Sequence, residues 1–189
     1  MIRFFIFLTF FVIFTAGNTG CDHAPDGVDE ETSVSTVERL SEEDKAALAN
    51  KLKSLDYLLS RPLEQRIARS QEYVRKYLEL EDKDSAEALE TLTMALYIHA
   101  KGDHPLLEEW VVLAHKVFRE KEATVPELLR AKQIELQIAR DNNESRKHIK
   151  ALEEDAELFE HQIQDLKAQG VNPQEFKISV EVEGDEDEE

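Results

Sequence analysis

The sequence predicts an all-α protein: an N-terminal signal segment, a four-helix body of helical hairpins, one long C-terminal helix with coiled-coil character, and a disordered acidic tail. Three observations carry that expectation. Between residues 41 and 170 apolar residues recur every three or four positions in successive stretches, the period of a helix that buries one stripe. Only 6 glycines and 5 prolines occur in 189 residues, and 34% are charged, which suits solvated helices better than a thick mixed core. The breakers Pro62, Gly102, Pro105 and Gly170 fall between those stretches, where helices start and stop.

Residues 1–20 read as a targeting segment. Arg3 precedes an apolar run of 13 residues, Phe4 to Ala16, short of the roughly 20 that span a bilayer and right for a signal h-region. Gly17, Thr19 and Gly20 follow, and then Cys21, the only cysteine. One cysteine excludes an internal disulfide and a thiolate metal cluster. These 21 residues resemble a bacterial lipoprotein signal. The resemblance implies cleavage before Cys21, a lipid on Cys21, and anchorage to a membrane of the cell envelope. Gly20 and Thr19 suit the two positions before the cut, and Asn18 stands where an aliphatic residue is usual. Asp22, directly after the cysteine, implies retention at the inner membrane. The alternative is an ordinary secretory signal and a soluble exported protein. Residues 21–40 contain Pro25, Gly27 and many acids without an apolar period, and are expected to form a flexible tether.

The helical body covers residues 41–122. Ser41 caps a first helix (41–59) striped by Leu48, Leu52, Leu55 and Leu59. Pro62 opens a second (62–80), with Leu63, Ile67, Val74 and Leu78 inward and a basic face of Arg61, Arg66, Arg69, Arg75 and Lys76. Intramolecular pairing with acids accounts for that face. Asp84 and Glu87 have capping-box spacing for a third helix (85–101). A fourth (105–121) turns Leu107, Trp110, Val111, Ala114, Val117 and Phe118 inward.

Residues 124–170 read as one helix, opened by Thr124, Pro126 and Glu127 and closed by Gly170. Leu128, Leu129, Ile134, Leu136 and Ile138 in its first half are expected to dock on the body. Ile149, Leu152, Ala156, Phe159, Ile163 and Leu166 in its second half form the seam of a coiled coil, or of a helix lying along a bundle. Asn142 and Ser145 interrupt that seam toward the N-terminus. A projecting helix with a bare seam needs a second copy or a protein partner. Beyond Pro173, Phe176, Ile178, Val180 and Val182 alternate with polar residues, a strand pattern with no evident partner strand in the chain; it is open to the sheet edge of another protein, to disorder, or to packing against the body. The last nine residues contain seven acids and are expected to be an unstructured tail.

Net charge is −18; residues 1–21 contain Arg3 and no acid, so removing that +1 leaves −19 on the remainder. Nucleic acid and anionic lipid repel such a chain. No phosphate loop, nucleophile motif or H-E-x-x-H appears, so neither enzymatic activity nor a cofactor is expected. His99 and His104 bracket Gly102 at a helix turn and His115 lies on the next helix, and a metal-handling role is the minor alternative. The main expectation is an exported, membrane-anchored lipoprotein acting as a helical scaffold or adaptor for protein–protein contact.

Overall fold

The computed structural model describes residues 40–180. Cys21, Asp22 and Val182 lie outside them, with residues 23–39 and the acidic tail. The described elements are α1 (Glu42–Ser54), α2 (Asp56–Leu59), α3 (Leu63–Glu79), α4 (Ala86–His99), α5 (Leu107–Glu120), β1 (Glu122–Thr124), α6 (Val125–Asp141), α7 (Arg146–Ala168) and β2 (Lys177–Ser179). The described residues are all-α apart from one two-stranded ribbon.

The starts of α1 and α6 follow the sequence closely. Ser41 Oγ accepts from the Asp44 amide at 3.1 Å, and Thr124 Oγ1 accepts from the Glu127 amide at 3.4 Å. In each case the N3 carboxylate bonds back to the cap amide, so two otherwise orphaned N–H groups are satisfied. The third helix begins one residue later than the spacing predicts. Ser85, not Asp84, caps α4, accepting from the Ala88 amide at 3.2 Å. Asp84 is held instead by Arg119 at 3.2 Å.

α4 is the central helix. Leu89, Leu92, Ala95, Leu96 and Ile98 are buried along it, and it packs against α1, α3 and α5. A helix apolar on most faces has to be surrounded. α3 runs antiparallel to it. Ser70 Oγ donates to the Ala95 carbonyl at 2.6 Å, and Arg66 donates to the carbonyls of Ile98 and His99 at 3.2 and 2.7 Å.

The long helix is broken. α6 ends at Asp141 and α7 restarts at Arg146, folding back along α6 as an antiparallel hairpin. Asn143 takes the left-handed conformation at φ 53°. The amides of Asn143 and Glu144 return to the carbonyls of Arg140 and Ala139 at 3.0 and 2.9 Å, closing a Schellman motif in which Asn does the work of glycine. Ser145 then caps α7, accepting from the His148 amide at 3.2 Å. The same turn is tied to the body: Asn142 Nδ2 donates to the Ala100 carbonyl at 2.7 Å, and Arg66 pairs with Glu144. Asn143→Gly is expected to stabilise the protein by about 0.5–1 kcal/mol, since glycine adopts this φ without a Cβ clash. A raised urea midpoint would register it; a lowered one would show that Asn143 holds the turn by its side chain.

The hairpin corrects two expectations. The seam does not project, and most of it is core: Leu152, Ala156, Phe159 and Leu166 are 1–8% exposed, and Ile149 and Ile163 are half-buried. Leu152 packs with Leu136 and Ala139, and Phe159 and Leu166 pack with Val117, Val125 and Leu128. Three large side chains buried at about 1.5–3 kcal/mol each outweigh the helical hydrogen bonds lost at one turn. The flanking charges also find partners at home, Arg140 on Glu153 at 2.7 Å and Lys132 near Asp155 at 3.4 Å. The second correction concerns the strand. Glu122-Ala123-Thr124 is its partner, antiparallel, with Ala123 opposite Ile178. Phe176 and Ile178 are half-buried and Val180 is 5% exposed, all packed on the Phe159 cluster. β1 was hidden because three residues between two helices carry no period of their own.

Candidate functional site

Where α4 ends against the α6–α7 hairpin, the core becomes polar. Lys132, Glu135 and His99 are 1%, 6% and 5% exposed. Lys132 and Glu135 share a face of α6 at i, i+3. His99 is the last residue of α4, and His148 stands in the first turn of α7. Lys132 Nζ lies 3.0 Å from Glu135 Oε2 and 3.4 Å from Asp155 Oδ2. His99 Nε2 lies 3.4 Å from the other Glu135 oxygen, and its ring meets Trp110 edge-on at 5.2 Å. The half-buried His148 completes a group in which one atom each from His99, Glu135 and His148 lie within 4.8 Å of one another. Two imidazole nitrogens and a carboxylate oxygen are the donor set that holds a divalent metal.

Charge pairing sets the protonation states. Burial pushes the Glu135 carboxyl up, but Lys132 and His99 outweigh it and hold the group well below the usual carboxylate range. Burial pushes Lys132 down, but Glu135 and Asp155 raise it above its ordinary value, so it stays charged. Burial depresses His148, which keeps it a neutral imidazole at neutral pH. A cavity of about 20 Å³ adjoins Lys132 and Glu135, walled otherwise by Leu96, Trp110, Ala114, Phe118 and Ala131. It has room for one water.

A second polar chain runs Asp84–His115–Tyr77. His115 Nε2 is 3.3 Å from Asp84, and its Nδ1 is 3.0 Å from the Tyr77 hydroxyl. The order resembles a nucleophile–base–carboxylate relay, but Tyr77 is 0% exposed. Burial and then Asp84 push its hydroxyl far above the ordinary range. A neutral, inaccessible phenol is no nucleophile, and the chain serves the fold. Tyr97, donating to Asp56 Oδ1 at 2.9 Å, is pushed up to about 12 by burial and by that bond. The neutral phenols therefore stabilise the fold below pH ~10, and that contribution is lost as pH rises from about 10 toward 12. Tyr97→Phe is expected to flatten this alkaline loss, read as urea midpoints against pH; an unchanged slope would exclude Tyr97 as its source.

The three histidines grouped by sequence do not meet. His104 turns to Asp141 at 3.1 Å, His115 joins Tyr77, and only His99 reaches the polar centre. Lys132, Glu135 and His148 were not singled out by sequence reasoning. One signal was present: Leu128, Ala131, Glu135, Ile138 and Asn142 fall at 3, 4, 3, 4 spacing, so Glu135 sits in the middle of an apolar stripe. His148 had no signal, because only the chain reversal at Asn143 brings it near. The chain matches no protein-family model, no curated protein and no solved structure.

Proposed function

We propose that the chain is an exported lipoprotein of bacterial type, with a lipid on Cys21 and a tether that holds an acidic helical body at an envelope membrane, the inner one favoured by Asp22. There it acts as an adaptor for a protein partner. The observation that carries this is the single cysteine, set directly after a short apolar run and small residues. Among the described residues no helix is long and apolar enough to cross a membrane. The −19 charge of the remainder keeps the body off anionic headgroups, so a lipid would be its means of attachment. The adaptor surface is the outer charged face of the body rather than the α7 seam, which is occupied by the chain's own core. Leu158, 58% exposed beside the buried Phe159, marks the open side of α7.

Cys21→Ser is expected to move the protein from the detergent phase to the aqueous phase and to abolish fatty-acid labelling. Unchanged partitioning would favour the reading without lipid, a soluble exported binding protein. A photocrosslinker at Leu158 in native membranes should capture the adaptor's partner, and one at Tyr57, also open at 59% exposed, tests whether contact is confined to α7.

A further inference from the structure

We infer that His99, Glu135 and His148 form a binding site for one divalent transition-metal ion of the zinc type, at the joint between α4, α6 and α7. A buried ion-pair network alone accounts for Lys132, Glu135 and Asp155. It gives no reason for two imidazoles to converge on the same carboxylate. A tetrahedral ion about 2.0–2.1 Å from each ligand holds neighbouring donors about 3.3 Å apart. The 3.4 Å between His99 Nε2 and Glu135 Oε1 already matches one such edge. Closing the triangle requires His148 to approach by up to about 1.5 Å from the 4.8 Å limit of the group. Its place in the first turn of α7, half-buried, allows that and leaves a path for the ion.

The surroundings fit. Glu135 divides its oxygens, Oε2 to Lys132 at 3.0 Å and Oε1 toward His99, so it would ligate through one oxygen while the other is held, as outer partners of metal ligands do. With neutral imidazoles, Lys132, Glu135 and Asp155 sum to −1, which offsets the cost of a divalent charge in the core and the adverse dipole at the start of α7. Two nitrogens and one oxygen favour zinc, cobalt or nickel over calcium and magnesium, which take oxygen. An ion here would staple the hairpin to α4, so binding would be linked to closure of the joint.

The test is titration of the full mature chain with Zn²⁺ in excess Mg²⁺, which occupies the acidic tail. One equivalent is expected to bind and raise the melting temperature, and Co²⁺ should give the visible bands of a tetrahedral site. His148→Gln, at a half-buried position that keeps the hairpin folded without metal, is expected to weaken binding more than about a hundredfold, beyond the loss typical of an outer partner, and to abolish both the shift and the bands. Absence of stoichiometric binding, displacement by Mg²⁺, or binding unchanged in His148→Gln would each overturn the assignment. None of these outcomes depends on whether Cys21 carries a lipid.

Discussion

Phe159→Asp is expected to cost at least about 4 kcal/mol of folding stability. Truncating a buried phenylalanine costs about 3–5 kcal/mol by itself, and a carboxylate set in this apolar cluster adds a desolvation cost. Phe159 is 5% exposed and joins Val117, Ala123, Val125, Leu128, Leu166 and Val180 in one cluster. That cluster fastens α7 and the β1–β2 ribbon to α5 and α6. Against a typical reserve of about 5–15 kcal/mol, the loss would leave the distal end of the body largely open. Leu158→Asp, one residue away and 58% exposed, is expected to change stability by no more than about 0.5 kcal/mol. Urea midpoints of the two variants decide between a folded-back hairpin and a projecting rod. A rod would lose self-association in Phe159→Asp and keep its midpoint.

Lys132→Met should cost about 3–5 kcal/mol at neutral pH, because it leaves Glu135 and Asp155 charged at the polar centre without their cation. The methionine keeps most of the packed volume, so the charge is what the variant removes. The pH dependence gives the mechanism its own check. Lys132 and His99 hold Glu135 below the usual carboxylate range. A depressed carboxyl stabilises the fold above its unfolded value of about 4.3, and that stability is lost as pH falls through the folded value. In Lys132→Met the carboxyl rises and can be protonated without unfolding. The gap between wild type and variant is therefore widest near pH 7 and narrows below about pH 4. Adding Glu135→Leu to Lys132→Met should recover part of the loss. A gap independent of pH, with no recovery, would mean that lost packing explains the effect.

The starts of α1 and α6 were legible because they are local. Ser41 and Thr124 meet the amides of Asp44 and Glu127 three residues on, and no other part of the molecule is needed. The seam residues were recognised as apolar and in phase, and they are indeed α7's inward face, yet the surface they meet was assigned to another molecule. The polar centre was almost invisible. Its members are contributed by the end of α4, the middle of α6 and the start of α7, and distance along the chain says nothing of their distance in space.

Read alone, the residues specify that the described segment forms helices, which face of the longer ones is apolar, and how α1 and α6 are capped, since these depend on neighbours within one turn. That the segment from Thr124 to Gly170 is two helices rather than one follows from contacts between distant parts of the chain. Asn142, Asn143, Glu144 and Ser145 differ from good helix formers by only a few tenths of a kcal/mol each, too little to choose. Burying Leu152, Phe159 and Leu166 against α5 and α6, with Arg66 holding Glu144 at the turn, supplies several kcal/mol and selects the reversal. That reversal carries His148 to His99 and Glu135.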